Sequence, residues 1–163
     1  MKGIDVPIEV LRQMFEDNLW TSFEFTAYGR IFPNATDKGI VPEVLVNGSR
    51  EYLEKLYDDT KDAHCFFYVH PERNIDKSAQ TAKVDILFTV NLEKLYSSVA
   101  ERATEYAHLD VIAEIKQSEF DITGITTGID SFRDFAFLNQ NLNDMQPFYL
   151  FKISTEIIYN TTC

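Results

Sequence analysis

Asp144-Met145-Gln146-Pro147-Phe148-Tyr149-Leu150-Phe151-Lys152-Ile153-Ser154-Thr155-Glu156-Ile157-Ile158-Tyr159 is the stretch on which the fold class turns. Pro147 punctuates the chain, and the run after it alternates. Tyr149, Phe151, Ile153, Thr155, Ile157 and Tyr159 share one face. Phe148, Leu150, Lys152, Ser154, Glu156 and Ile158 share the other, with polar residues in its middle. Period-two patterning rich in β-branched and aromatic residues predicts a strand with one buried face. Its length, about twice that of an ordinary strand, predicts either the spine of a sheet or a strand that reaches a neighbouring subunit.

Upstream segments repeat the pattern. Residues 23–32 alternate and are expected to end at Pro33-Asn34. Gly39 to Pro42 reads as a loop and Glu43-Val44-Leu45-Val46 as a short strand. Asn47-Gly48 is a hairpin signal, and Glu51 to Tyr57 after it, whose pattern also fits a helix, reads in that context as the partner strand. His64 to His70 and Lys83 to Leu92 are further strands, with Val84, Ile86, Phe88 and Val90 inward and Lys83, Asp85 and Thr89 outward. Between them, residues 71–82 form an extended polar loop, long for a hairpin connection. Phe120 to Ile125 is another strand. Gly128 leads into a short helix or irregular piece over residues 131–138, and an Asn-rich loop over 139–147 delivers the chain to the final strand.

Helical spacing marks two segments. From Val6 to Trp20, Ile8, Leu11, Phe15 and Leu19 recur every three or four residues, widened by Val10 and Met14. Pro7 suits a first turn, and Asp5 is the expected cap. From Ser97 to Gln117, a capping box of Ser98 and Glu101 precedes a stripe of Val99, Ala103, Tyr106, Leu109 and Ile112/Ala113. Strand links too short for βαβ crossovers, together with these helices, predict a single α+β domain over residues 1–163. Its sheet is mainly antiparallel and flanked by two main helices.

Bulk properties narrow the function. The chain of 163 residues carries 26 acidic and 15 basic residues, a formal charge of −11. Such a balance argues against a nucleic-acid grip, which requires a basic face to displace phosphate counterions. Two cysteines, Cys65 and Cys163, are too few for a disulfide framework and predict a reducing, intracellular setting. No apolar leader or membrane-length run is present in the sequence. The triplets at Asn34, Asn47 and Asn160 carry no weight without a secretion signal.

Chemistry-bearing clusters are sparse. His64, Cys65 and His70 are the soft ligands, but the two histidines lie about 20 Å apart along a strand and Cys65 points the other way, so no zinc site forms. Asp58-Asp59 and Glu54/Asp58 read as a solvated turn rather than as acid–base or magnesium pairs. Gly124 and Gly128 lack P-loop spacing and its lysine. The expectation is therefore no enzyme, with no catalytic, cofactor-binding or metal residues. An acid-dependent hydrolase would require two carboxylates converging in a cleft. A cytosolic small-ligand-binding α+β domain would require an apolar cavity lined from Tyr28, Phe66 and Phe88.

Two groups of residues carry a family resemblance. They are Tyr28-Gly29-Arg30, Gly39-Ile40-Val41-Pro42-Glu43-Val44, Tyr57 to Ala63 and Cys65-Phe66-Phe67-Tyr68-Val69, and then Phe132-Arg133-Asp134-Phe135 with Asp144 to Ile153. Their order resembles tail-terminator (tail-completion) and neck ring proteins of tailed bacteriophages, including ring proteins of crAss-like phages. The resemblance implies a tail-terminator-like α+β fold, closed homo-oligomeric rings (hexameric in long tails, up to twelvefold in necks) and contacts with adjacent neck and tail proteins. It implies a virion structural protein assembled in the host cytoplasm, with DNA passing through the lumen without specific binding. It also implies that the 71–82 segment, rather than an extended polar loop, is a hairpin arm reaching a neighbour.

Overall fold

A computed structural model describes residues 2–45, 52–54, 60–76, 78–99, 103–137 and 147–160. Its centre is a five-stranded sheet in the order β1-β5-β6-β8-β7. These strands are β1 (Phe25–Arg30), β5 (Ala63–Asp76), β6 (Ala79–Asn91), β7 (Asp121–Thr127) and β8 (Phe148–Asn160). Only β1 runs parallel to its neighbour; the β5–β6, β6–β8 and β7–β8 pairs are antiparallel. The mainly antiparallel α+β architecture thus stands as the sequence implies. The final strand is an interior one, paired with β6 along its whole length from Phe148↔Asn91 to Asn160↔Ala79. Its interior place fits the spine role.

Helix α1 (Asp5–Asn18) and helix α3 (Ala103–Ile115) cover one face. Ile8, Leu11 and Phe15 of α1 insert among Phe67, Phe88 and Phe151 of the sheet, all buried. The Phe88 and Phe151 rings stack at 4.9 Å with planes 7° apart. Each such side chain removed from water stabilises the fold by about 1.5–3 kcal/mol. Val10 does not widen this stripe: it is 56 % exposed, because its position on the helix wheel is opposite Ile8 and Phe15. Nor does Asp5 cap α1. It lies in the first turn, Ile4 precedes it without a side-chain cap bond, and Asp5 pairs with Arg30 at 3.2 Å instead. The helix stops where Trp20 takes a left-handed backbone (φ 47°), an uncommon conformation outside glycine. Its indole donates to Tyr96 Oη at 2.7 Å, which fixes the ring.

The second helix is shorter and rotated relative to expectation. Residues Leu92–Leu95 form a separate turn, α2, capped by Asn91, whose side chain accepts from Lys94 N. Helix α3 then buries Ala103, Ala107, His108, Val111 and Ile115, while Tyr106 and Leu109 face outward. A small residue at Ala107 lets the helix lie close to the strands, and His108 is drawn inward by its bond to Tyr149 Oη at 3.0 Å. Size and hydrogen bonding overrode hydrophobic rank. Glu101 of the expected capping box lies outside the described residues, as do Asn47-Gly48, Asp58-Asp59 and residues 139–146 of the expected Asn-rich loop.

A second sheet, unforeseen, covers part of the opposite face. Strand β2 (Phe32–Thr36) runs through Pro33-Asn34 rather than ending there, and β3 (Gly39–Leu45) occupies the expected loop. Proline is tolerated because β2 is an edge strand. Strand β4 (Tyr52–Glu54) pairs antiparallel with β3, as the hairpin reading requires. This three-stranded unit is the crossover that a parallel β1–β5 pair demands. Ile31 and Val44 join Phe66, Tyr68, Leu87, Leu150 and Phe132 in a second buried cluster. Phe132 ends a 3-10 turn (Gly128–Phe132) after β7. Consequently Thr89, expected outward, is 1 % exposed. Asp85, also expected outward, is 5 % exposed beyond this cover, beneath the side chains of His70 and Lys152.

Candidate functional site

Two parts of the sheet remain uncovered by these layers, and they adjoin each other. The first is polar. Across the second face, beyond Tyr68 and Leu87, strand register brings His70 of β5, Lys83 and Asp85 of β6, and Lys152, Ser154 and Glu156 of β8 around a hollow of about 330 Å³. Asp85 Oδ2 accepts from His70 Nε2 at 2.9 Å and from Lys152 Nζ at 3.2 Å. The His70, Asp85 and Lys152 side chains are 31 %, 7 % and 15 % exposed, so two basic groups converge on one sheltered carboxylate.

The order across the strands decides what this group does. Asp85 is the cross-strand neighbour of Ser154, and His70 lies on the far side of Asp85. A nucleophilic relay needs the imidazole between hydroxyl and carboxylate. Here the carboxylate lies between the imidazole and the strand that carries Ser154, which is not the order of such a relay.

The structure sets His64, Cys65 and His70 in three different surroundings. Cys65 is fully buried under α1, its thiol pushed well up by burial. His64 is 1 % exposed on the other face, its ring 5.9 Å from that of Tyr28. His70 is engaged with Asp85. Among the described residues no group of three or more His, Cys, Asp or Glu side chains is disposed to hold a metal ion. Tyr28, Phe66 and Phe88 line no common cavity: Tyr28 and Phe66 pack in the second cluster, and Phe88 lies in the first, across the sheet. A separate hollow of about 550 Å³ opens between α2, the start of α3 and the start of β8, beside Tyr96, Ala103, Pro147 and Tyr149.

The second uncovered part is the distal end of the sheet. Residues 73–76 of β5 pair with 79–82 of β6, so the described residues of the 71–82 segment are largely strand rather than loop. A register irregularity between Val69 and Arg73 marks its base. The end of β8 continues along it: Arg73, Ala82 and Ile157 form one row, followed by Asn74, Thr81 and Ile158, then Ile75, Gln80 and Tyr159, then Asp76, Ala79 and Asn160. Tyr159 Oη donates to Gln80 Oε1 at 2.6 Å and ties the outer strand to the middle one.

This three-stranded ribbon is narrower than the body. Strand β1 pairs with β5 only as far as Phe67, and β7 pairs with β8 only from Phe151 to Glu156. Among the described residues, 71–76 of β5 and 157–160 of β8 therefore have no strand on their outer sides. Ile75 is 70 % exposed and Ile158 is 66 % exposed, on opposite faces of the ribbon. Exposed strand edges with bulky apolar residues are docking surfaces unless blunted.

No protein-family model and no curated protein matches the chain.

Proposed function

We propose that this chain is a non-enzymatic structural subunit of a tailed-phage virion, forming a ring of the neck or tail-terminator type that joins neighbouring rings around the DNA channel. The observation that carries the reading is the distal ribbon, which among the described residues has one free edge on each side at the same level of the sheet. Two different free edges on one subunit make a heterologous contact, and heterologous contacts repeat into rings when the rotation closes. The charge of −11 supports the same reading, since an acidic lumen lets DNA slide without gripping it.

The test is the mass of the purified protein across concentrations, by light scattering after gel filtration, alone and with a portal or tail partner. A discrete ring-sized mass supports the reading; a chain that stays monomeric in every mixture overturns it. Ile75→Lys should lower assembly while leaving the fold intact, because that side chain is 70 % exposed.

A second reading, a small-ligand-binding domain, is favoured by the 550 Å³ hollow between α2, α3 and β8. A monomer whose thermal midpoint rises with an apolar small molecule, and whose response is lost in Ala103→Trp, would decide for it.

A further inference from the structure

The free edges also specify how copies would meet. Strands β5 and β8 are each antiparallel to β6, so both run toward the tip of the ribbon. Rotating one copy onto the next about a ring axis brings the β8 edge of the first against the β5 edge of the second with both strands pointing the same way. We infer that neighbouring copies join through these ribbons, residues 157–160 of β8 in one copy lying parallel to residues 71–76 of β5 in the next. This inference rests on the ring reading above and names the contact within it.

The shape of the subunit supports a closed assembly rather than a flat one. At a strand spacing of about 4.8 Å, the three-stranded ribbon is ~14 Å wide and the five-stranded body ~24 Å. Ribbons that touch edge to edge force the wider bodies to splay, so each contact turns the chain of subunits in the same sense, with ribbons inward and the five-stranded bodies outward.

The side chains fit that union row by row. Joining at equal level sets Ile75 of the next copy beside Tyr159, on the face where both project. Aromatic and β-branched residues make a favourable cross-strand pair. On the other face Asn74 of the next copy falls beside Ile158. The union covers the two most exposed large apolar side chains of the described residues, Ile75 and Ile158, with one contact. A second copy is thus the occupant that uses both edges at once.

The contact is tested by cross-linking in a Cys163→Ser background, where the remaining Cys65 is fully buried. Copies carrying only Asn74→Cys are mixed with copies carrying only Ile158→Cys and mildly oxidised. A covalent dimer should form in the mixture and in neither sample alone, because the contact is heterologous. The doubly substituted chain should give a ladder ending in a closed ring. Asp76→Cys with Asn160→Cys samples the row two residues on, so local strain at one pair does not decide the result. Assembly seen by light scattering without cross-linking at either pair overturns this contact and leaves the ring reading standing. A monomer at every concentration and in every mixture overturns both.

Discussion

Lys152 Nζ lies 3.2 Å from Asp85 Oδ2, with the two side chains 15 % and 7 % exposed. The pair sits two residues off direct register, since Asp85 faces Ser154 and Lys152 faces Leu87. A sheltered carboxylate is tolerable only while it keeps its donors. Lys152→Met should therefore cost about 1–3 kcal/mol, the range for a hydrogen bond to a charged group together with the polar atom left behind. Adding Asp85→Leu should recover part of that loss. Urea unfolding of the single and double variants checks it, and a double variant no more stable than Lys152→Met would remove the coupling.

His108 supplies the pH dependence. Burial against Phe151 and Tyr149 holds its pKa below the ordinary value of 6.5, outweighing the opposing pull of Glu105. The unfolded chain then binds the proton more readily than the native one. Stability due to this residue is full above about 6.5, falls as pH drops below it, and levels off beneath the native pKa. His108→Gln should flatten the stability profile in that window. Chemical denaturation at a series of pH values measures the slope, and an unchanged slope would show that His108 is not its source.

The second cluster should be as integral as the first. Phe132 is fully buried, its ring 6.0 Å from that of Phe66. Phe132→Ala should cost about 3–5 kcal/mol, the same as Phe151→Ala. If β2–β4 and the 3-10 turn unfold independently of the main sheet, Phe132→Ala will instead produce a separate early transition in circular dichroism, while Phe151→Ala will lower a single transition.

Cys65 should be chemically silent in the native state. Its thiol is fully buried and its pKa is pushed well above the usual value by that burial. Only the thiolate reacts. In the Cys163→Ser background, labelling by a thiol reagent should follow the rate of unfolding; rapid native labelling would contradict the packing of α1 over β5.

Much of this was legible in the residues. The alternation from Phe148 to Tyr159 alone assigns faces to the final strand, because a period of two requires no knowledge of neighbours. Ile8, Leu11 and Phe15 locate the buried side of α1 in the same way, as a 3.6-residue period is local geometry. The class, an antiparallel sheet with helices on one face, follows from those periods and the short links.

What tertiary structure decided is everything that depends on register and on a second layer. Thr89 looks outward in sequence and is buried, because β2–β4 and Phe132 cover the other face and nothing local announces a cover; Asp85 is buried by His70 and Lys152, which come from other strands. Pro33 looks like a stop, yet an edge strand has no need of its missing N–H on the solvent side. The His70, Asp85 and Lys152 cluster joins residues on β5, β6 and β8 whose adjacency is set by long-range pairing. The ribbon likewise exists only because β1 and β7 stop short, and where a strand loses its neighbour is decided by the whole sheet, not by any one strand.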